Sequence, residues 1–185
     1  MRYLTLAKAV KALAEGEVIA HPTEGVYGFA ADASNEEAVR RVLALKKRSP
    51  HKGFIVLIDA LERIEHWIEP LSQQEKALLL EHLDAGFRHT WLVPTSPECP
   101  SYLLGQYPSL AIRVTNFFPA KALCQAFSKP LISTSVNISG EPPFEKAEAI
   151  HIAFRGQIAG ILTGKVGPLS HPTKIIDLKS GQSIR

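Results

Sequence analysis

The chain has 185 residues, of which 45% are hydrophobic and 21% charged, as expected for one globular domain or one domain with a small addition. Its 21 basic and 18 acidic residues give a net charge of +3, too small an excess for the basic stripe of a dedicated nucleic-acid binder. No apolar run approaches the roughly 20 residues that span a bilayer, and the first five residues do not resemble a secretory signal. We therefore expect a single cytoplasmic domain over residues 1–185, with no membrane contact and with Cys99 and Cys124 as reduced thiols.

Apolar periodicity and turn residues predict helices and strands in alternation. A helix is expected over residues 5–15, ended by Gly16, and a second helix is expected to begin at Ser34, three residues before Glu37, which is the spacing of a capping box. Further helices are expected from Ser72, over 119–127 and near 146–154, and strands at 18–20, 54–58, 90–93, 110–113, 131–132, 160–162 and 175–178. This alternation is typical of an α/β domain.

The most informative segment is Ser-Thr-Ser-Val-Asn-Ile-Ser-Gly at residues 133–140, which follows the apolar strand residues 131–132. In an extended chain alternate side chains share a face, so Ser133, Ser135 and Asn137 would point the same way. Polar groups at a strand end are typical of ligand sites in open α/β sheets. An ordinary turn has a similar composition, so the segment alone leaves both interpretations open.

A basic pair, Lys46 and Arg48, closes the predicted second helix. Val39, Val42, Leu43 and Lys46 follow the spacing of one helix face, which puts Lys46 on the apolar, inward side, where a lysine needs a partner or a cleft. Lys46 and Arg48 can face one ligand only if the helix ends near Lys46. Pro50 favours such an early end because it disfavours helical geometry at the residue before it.

Other signatures of nucleotide or metal chemistry are absent from the sequence. Residues 160–166 imitate a P-loop but have one residue too few between the glycines and no hydroxyl after the lysine. The seven histidines have no ligand spacing, so no metal ligands are expected from protein side chains, and any Mg²⁺ would arrive on a phosphate. Glu24 and Asp32 have no paired carboxylate, so no general base is assigned.

Several separated segments together resemble the YrdC/TsaC family in order and spacing, over nearly the whole chain. The segments are residues 21–28 (His-Pro-Thr-Glu-Gly-Val-Tyr-Gly), Asp32, Lys46-x-Arg48 followed by Lys52-Gly53, residues 110–114, residues 133–140 and residues 172–177. The length is similar to the short bacterial form of the family. The resemblance implies an open, twisted mixed sheet with flanking helices and a concave basic cleft.

The resemblance also implies an activity, L-threonylcarbamoyladenylate synthesis. Enzymes of this family use L-threonine, bicarbonate or CO₂, and ATP with Mg²⁺, and release diphosphate. Their product passes to a transfer complex of the TsaD, TsaB and TsaE type, which modifies a tRNA adenosine next to the anticodon. Transfer RNA or double-stranded RNA is a further candidate partner of the domain itself.

Site residues follow from the resemblance position by position. It assigns Lys46 and Arg48 to phosphate binding and charge stabilisation, Asn137 to nucleotide or phosphate oxygens, Ser135 to the threonine end and Arg113 to the threonine carboxylate. The further positions expected to contact substrate or ATP are Thr23, Lys52, Ser109, Ser133, Thr173 and Arg185. Gly25 departs from the hydroxyl or alanine that many relatives carry there, and Pro50 stands one place later than in the commoner Arg-Pro form.

Two alternatives remain open from the sequence. One is an RNA-binding module of the same fold without catalysis, although only 8% of the residues are aromatic and could stack on bases. The other is a carbamoyl-transfer relative that uses a different acceptor. The lone domain favours the synthase.

Overall fold

The structure is a computed structural model that describes residues 3–84, 89–169 and 173–184, with the side chains of 81–84 left out. Its helices are α1 (Leu6–Ala14), α2 (Glu36–Lys46), α3 (Gln73–Asp84), α4 (Ser101–Leu104), α5 (Phe118–Phe127) and α6 (Ala147–Ala153). Its strands are β1 (Tyr3–Leu4), β2 (Ile19–Pro22), β3 (Tyr27–Asp32), β4 (Ile55–Ile58), β5 (His89–Pro94), β6 (Ser109–Val114), β7 (Leu131–Ser135), β8 (Gly160–Leu162) and β9 (Lys174–Asp177).

The strands of this described part form one mixed sheet in the order β1-β8-β2-β3-β7-β4-β6-β5-β9. Strand β7 lies at its centre and pairs antiparallel with β3 and with β4, so that Ser133 stands between Ala30 and Ile55. Strand β4 is parallel to β6, and β5 is parallel to β9. The expected α/β class with an open mixed sheet is confirmed.

Each face of the sheet carries an apolar cluster, since successive side chains of a strand point to opposite faces. Phe29, Val56 and Ile132 belong to one apolar cluster, whereas their neighbours Leu57 and Leu131 belong to a second cluster on the other face. Helix α2 contributes to the first cluster, while α1 and α5 pack over the second. Beyond α1 and α5, the second face carries the polar side chains of β6 and β7.

Helix starts were predicted at Ser34 and at Ser72, and the one at Ser72 is correct. At α3 the amide and the hydroxyl of Ser72 both donate to a Glu75 carboxylate oxygen at 2.8 Å, and the amide of Glu75 donates back to the Ser72 hydroxyl. At α2 the predicted cap at Ser34 is wrong. Asn35 is the cap, since its side-chain oxygen accepts the amide of Ala38 at 3.1 Å.

No helix in the described part of the chain is long and apolar enough to cross a membrane. Over the same residues, no group of three or more His, Cys, Asp or Glu side chains lies close enough together to hold a metal ion.

Candidate active site

A cleft of about 840 Å³ opens on the sheet face that α1 and α5 leave uncovered. Alternation along β6 directs Ser109, Ala111 and Arg113 into this cleft, while Leu110 and Ile112 are buried in the core. Strand β7 contributes Ser133 and Ser135 from its neighbouring position. The cleft is also lined by Thr23 and Thr173, so it brings together residues that are more than 100 positions apart in the sequence.

Helix α2 ends at Lys46, as the sequence predicts. Lys47 adopts a left-handed conformation with φ 48° and ψ 43°, and the amides of Lys47 and Arg48 close the last turn by donating to carbonyls of residues 44 and 43. The end of the helix lets the next residues turn away at once. Lys46 stays on the inward face, whereas Arg48 belongs to the loop that lines the cleft.

The Lys46 side chain is only 2% exposed and binds the segment after β7. Its ammonium donates to the carbonyl of Ser135 at 2.5 Å and to the side-chain oxygen of Asn137 at 2.6 Å, with the Asn137 carbonyl at 3.2 Å. Burial lowers the pKa of Lys46 to about 8, and the positive charge of Arg48 acts in the same direction.

Ser135 and Asn137 form one hydrogen-bonded unit with Lys46. The Ser135 hydroxyl donates to the Asn137 side-chain oxygen at 2.8 Å, and the Asn137 amide nitrogen donates to the Glu141 carbonyl at 2.5 Å. Ser135 lines the cleft, while Asn137 and Lys46 lie behind it, each hydrogen-bonded directly to Ser135. Strand β7 ends at Ser135, so the expected shared direction of residues 133, 135 and 137 holds along the strand only as far as Ser135.

Arg48 is held against the turn that follows it. Its Nη2 donates to the carbonyls of Gly53 at 2.8 Å and Lys52 at 3.2 Å, and its guanidinium lies 5.5 Å from the ring centre of Phe54. Pro50 begins the 3₁₀ turn Pro50–Lys52, with Ser49 as the cap. Pro50, one place later than in the commoner Arg-Pro form, therefore starts this turn. The turn brings Lys52 to the cleft beside Arg48.

Arg113 is surrounded by polar groups from three other parts of the chain. Its guanidinium donates to the hydroxyl of Thr90 at 2.9 Å and to the hydroxyl of Thr173. Its Nη1 lies 4.0 Å from a carboxylate oxygen of Glu24, and the other oxygen of Glu24 accepts a hydrogen bond from Thr115 at 2.8 Å. Glu24 is 4% exposed, so a carboxylate and a guanidinium share one wall of the cleft.

The loop between β2 and β3 is covered by residues 163–169, which we call the strap. The amides of Gly167 and Leu169 donate to the carbonyls of Thr23 and Glu24 at 2.8 and 2.9 Å. A Cβ atom at Gly25 would lie 2.4 Å from the Leu169 carbonyl oxygen, so a larger residue would displace the strap. This close approach explains why a glycine stands at position 25 instead of the hydroxyl residue or alanine of the family that the sequence resembles.

Most predicted site residues of the described chain lie at the cleft. Arg48 and Arg113, together with Thr23, Lys52, Ser109, Ser133, Ser135 and Thr173, line it. Lys46 and Asn137 lie behind it, and Arg185 is outside the described residues. Sequence reasoning gave no role to Glu24, Thr90 or Thr115, and it missed three exposed apolar side chains that line the cleft: Tyr107, Leu169 and Ile184.

The sheet and its cleft define an α/β protein whose cavity carries three cationic side chains and one carboxylate among the described lining residues. The family model Sua5/YciO/YrdC, described as telomere recombination, matches residues 11–185. The chain belongs to this family.

Relatives of similar length carry one name. The chain is 42% identical over 177 residues to threonylcarbamoyl-AMP synthase of Coxiella burnetii, covering 96% of this chain and 94% of the relative. It is 38% identical over 180 residues to the enzyme of that name from Xanthomonas campestris pv. campestris, covering 97% and 96%. The crystal structure of P. abyssi Sua5 complexed with L-threonine superposes with a TM-score of 0.85 at 26% identity, over 99% of this chain and 56% of that one.

Proposed function

We propose that the protein is an L-threonylcarbamoyladenylate synthase, which makes threonylcarbamoyl-AMP and diphosphate from L-threonine, bicarbonate or CO₂, and ATP. The curated relatives that carry this activity in their names match nearly the whole chain, and a Sua5 of the same fold binds L-threonine. The enzyme is a nucleotidyltransferase, and its product serves the threonylcarbamoyladenosine modification of tRNA.

The observation that carries this proposal is the set of charges in the cleft. Arg48, Lys52 and Arg113 face the hydroxyls of Ser133 and Ser135 across a cavity of about 840 Å³, within the range of roughly 300–1,000 Å³ usual for small-molecule sites. The reaction brings a threonine carbamate against the α-phosphate of ATP. The carbamate oxygen forms a bond to that phosphorus while the bond to diphosphate breaks, so cations are needed to offset the repulsion between the two anions.

The residues divide between the two ends of the substrate. Arg48 and Lys52 bind phosphate oxygens, and Lys46 adds positive charge from behind the cleft wall. Ser135 holds the threonine end, and Asn137, hydrogen-bonded behind Ser135, is assigned to nucleotide or phosphate oxygens. Arg113 binds the threonine carboxylate through its forked guanidinium. Thr23, Ser109, Ser133, Thr173 and Arg185 make supporting contacts.

The substrate set includes the cation and the recipients of the product. Mg²⁺ enters as part of MgATP, because the described lining residues include a single carboxylate, Glu24, too few for an all-protein cation site. A transfer complex of the TsaD, TsaB and TsaE type takes the product to tRNA. The cytoplasm, where ATP and tRNA meet, is the proposed location.

The test is the substrate dependence of diphosphate release. Purified protein is expected to release diphosphate from MgATP only when L-threonine and bicarbonate are both present, together with a product of the mass of threonylcarbamoyl-AMP. Arg48→Ala should lower the rate by about 100-fold or more, because it removes a charge that stabilises the transition state. Arg40→Ala, on the outer side of α2 with its side chain 72% exposed, should leave the rate unchanged.

The same assay separates the alternatives. Protein that binds structured RNA tightly but gives neither diphosphate nor product would have to be assigned to the RNA-module class instead. Diphosphate release that depends on a carbamoyl donor but not on threonine would indicate a relative with another acceptor.

A further inference from the structure

Glu24 is a buried carboxylate in the cleft that the synthase chemistry described above leaves without a role. It lies in the loop between β2 and β3, its side chain is 5% exposed, and it lines the cavity. Thr115, on the segment after β6 and 1% exposed, donates to one of its carboxylate oxygens. The other oxygen faces the Arg113 guanidinium at 4.0 Å, which is beyond hydrogen-bond distance.

This spacing leaves room for a ligand at the Glu24 carboxylate. A carboxylate has about four lone-pair positions, and among the described residues Thr115 occupies one of them. The guanidinium of Arg113 is turned by Thr90 and Thr173, which accept from its Nη2, while Nη1 is the nitrogen that faces Glu24. Neither group is in direct contact with the other, although they stand on the same wall.

The pair discriminates among ligands by charge. A simple anion placed on Arg113 would also lie close to the Glu24 carboxylate, and like charges in a poorly solvated site repel each other. A ligand with an anionic and a cationic group on the same carbon matches both residues at once. An α-amino acid in its zwitterionic form is such a ligand, because its carboxylate and its ammonium are both bonded to the α-carbon.

We propose that Glu24 binds the α-ammonium group of the substrate amino acid while Arg113 binds its carboxylate. This inference rests on the proposed function and assigns to Glu24 the recognition of the threonine nitrogen, the atom that later forms the carbamate with bicarbonate or CO₂. The contact fixes which end of threonine points to Arg113 and holds the nitrogen on the Glu24 side of the cleft.

A different role for Glu24 makes a different prediction. If the carboxylate only orients Arg113, its loss weakens every ligand that binds through a carboxylate. If it binds the ammonium, its loss weakens only ligands that possess one. The ligand 3-hydroxybutanoate tests this difference, since it keeps the carboxylate and the hydroxyl of threonine and lacks the amino group.

The experiment compares these two ligands by isothermal titration calorimetry. Wild-type protein should bind L-threonine at least tenfold more tightly than 3-hydroxybutanoate. Glu24→Gln should reduce the affinity for L-threonine by at least tenfold and leave the affinity for 3-hydroxybutanoate unchanged or higher. The matched control is Asp59→Asn, another buried carboxylate paired with an arginine, which does not line the cleft and should change neither affinity.

Equal affinity of the wild type for the two ligands would overturn the proposal, and this comparison does not depend on whether a variant folds. An equal loss of both ligands in Glu24→Gln would also overturn it and make Glu24 a positioning residue for Arg113. If the wild type neither binds L-threonine nor releases diphosphate, the proposed function fails and this inference fails with it. Normal diphosphate release with an unaltered ligand ratio in Glu24→Gln refutes the Glu24 assignment alone.

Discussion

Lys46 shows how one side chain can combine a structural and an electrostatic role. Its ammonium is buried. Among the described residues it donates hydrogen bonds only to neutral oxygens of Ser135 and Asn137. A buried carboxylate would cancel the charge, whereas carbonyl oxygens stabilise the ammonium and leave its field in place. The lysine therefore fixes the end of β7 and keeps a positive charge close to the cleft.

The lowered pKa of Lys46 predicts a pH dependence of catalysis. The ammonium form is populated below a pKa of about 8 and is lost as the pH rises through that value, so kcat/KM for ATP, which reports the free enzyme, should fall on the alkaline side with a midpoint near 8. Diphosphate release at ATP concentrations well below KM, measured from about pH 6.5 to 9.5, tests this. Lys46→Arg should move the midpoint upward, because guanidinium keeps its proton.

The control for this profile is Lys129→Arg, a lysine that is 56% exposed and paired with Asp32. Its profile should match that of the wild type. An alkaline midpoint that stays at the same pH in Lys46→Arg would show that another group, such as the substrate amine, causes the decline.

The sequence predicts the direction of single side chains better than their partners. The spacing of Val39, Val42 and Lys46 indicates the inward face of α2, and the structure buries all three. The oxygens that accept hydrogen bonds from Lys46 are 89 and 91 positions away. Two of the three are main-chain carbonyl oxygens, whose position cannot be predicted from a pattern of side chains. The sequence assigned no role to Glu24 for a related reason, since a single carboxylate forms no recognisable spacing with a second catalytic residue.

At the level of elements, length and composition decided what could be predicted. Strand β3 was missed because its run Tyr-Gly-Phe-Ala-Ala-Asp is rich in small residues and lacks β-branched ones. Strand β1 and helix α4 span two and four residues, too few to show a period. The start of α2 was placed one residue early because Ser34 and Asn35 are both good capping residues.

The loop that carries Arg48 depends on two glycines packed against each other. Gly53 has φ 57°, and a Cβ there would lie 2.7 Å from the Leu104 carbonyl oxygen; a Cβ at Gly105 would lie 2.5 Å from the Gly53 nitrogen. The amide of Phe54 donates to the Leu103 carbonyl at 2.8 Å. This contact joins the loop to α4, and the Gly53 carbonyl in turn holds Arg48.

Gly53→Ala is therefore expected to affect both stability and ATP binding. The free energy of unfolding should fall by about 2 kcal/mol or more, from backbone strain plus the clash, and KM for ATP should rise because the partner of Arg48 moves. Urea denaturation and steady-state kinetics measure the two effects.

Gly156→Ala is the matched control. Gly156 has φ 73° with nothing within 4 Å of an added Cβ, so this substitution should lower the free energy of unfolding by only about 1–2 kcal/mol and leave KM unchanged. Equal effects of the two substitutions would refute the packing argument.

On the scale of the whole molecule, the cleft joins parts of the chain that are far apart in sequence. Arg48 and Lys52 precede β4, Ser109 and Arg113 belong to β6, and Ile184 comes near the carboxyl end. The unfolded chain does not hold these residues together, so a ligand that contacts them binds the folded state alone. Occupancy of the cleft is thus linked to the folding equilibrium of the entire domain.

This linkage predicts a thermal shift. A non-hydrolysable ATP analogue with Mg²⁺, at about 100 times its Kd, should stabilise the fold by about 2.7 kcal/mol, which corresponds to a rise in Tm of about 5–10 °C for a chain of this size. Differential scanning calorimetry measures it. In Arg48→Ala the rise at the same analogue concentration should shrink to a few degrees or less, because the loss of a phosphate contact raises Kd. Arg40→Ala should keep the full rise, since that side chain lies on the outer side of α2, paired with Glu36. An undiminished shift in Arg48→Ala would mean that the nucleotide binds elsewhere than along the cationic wall of the cleft.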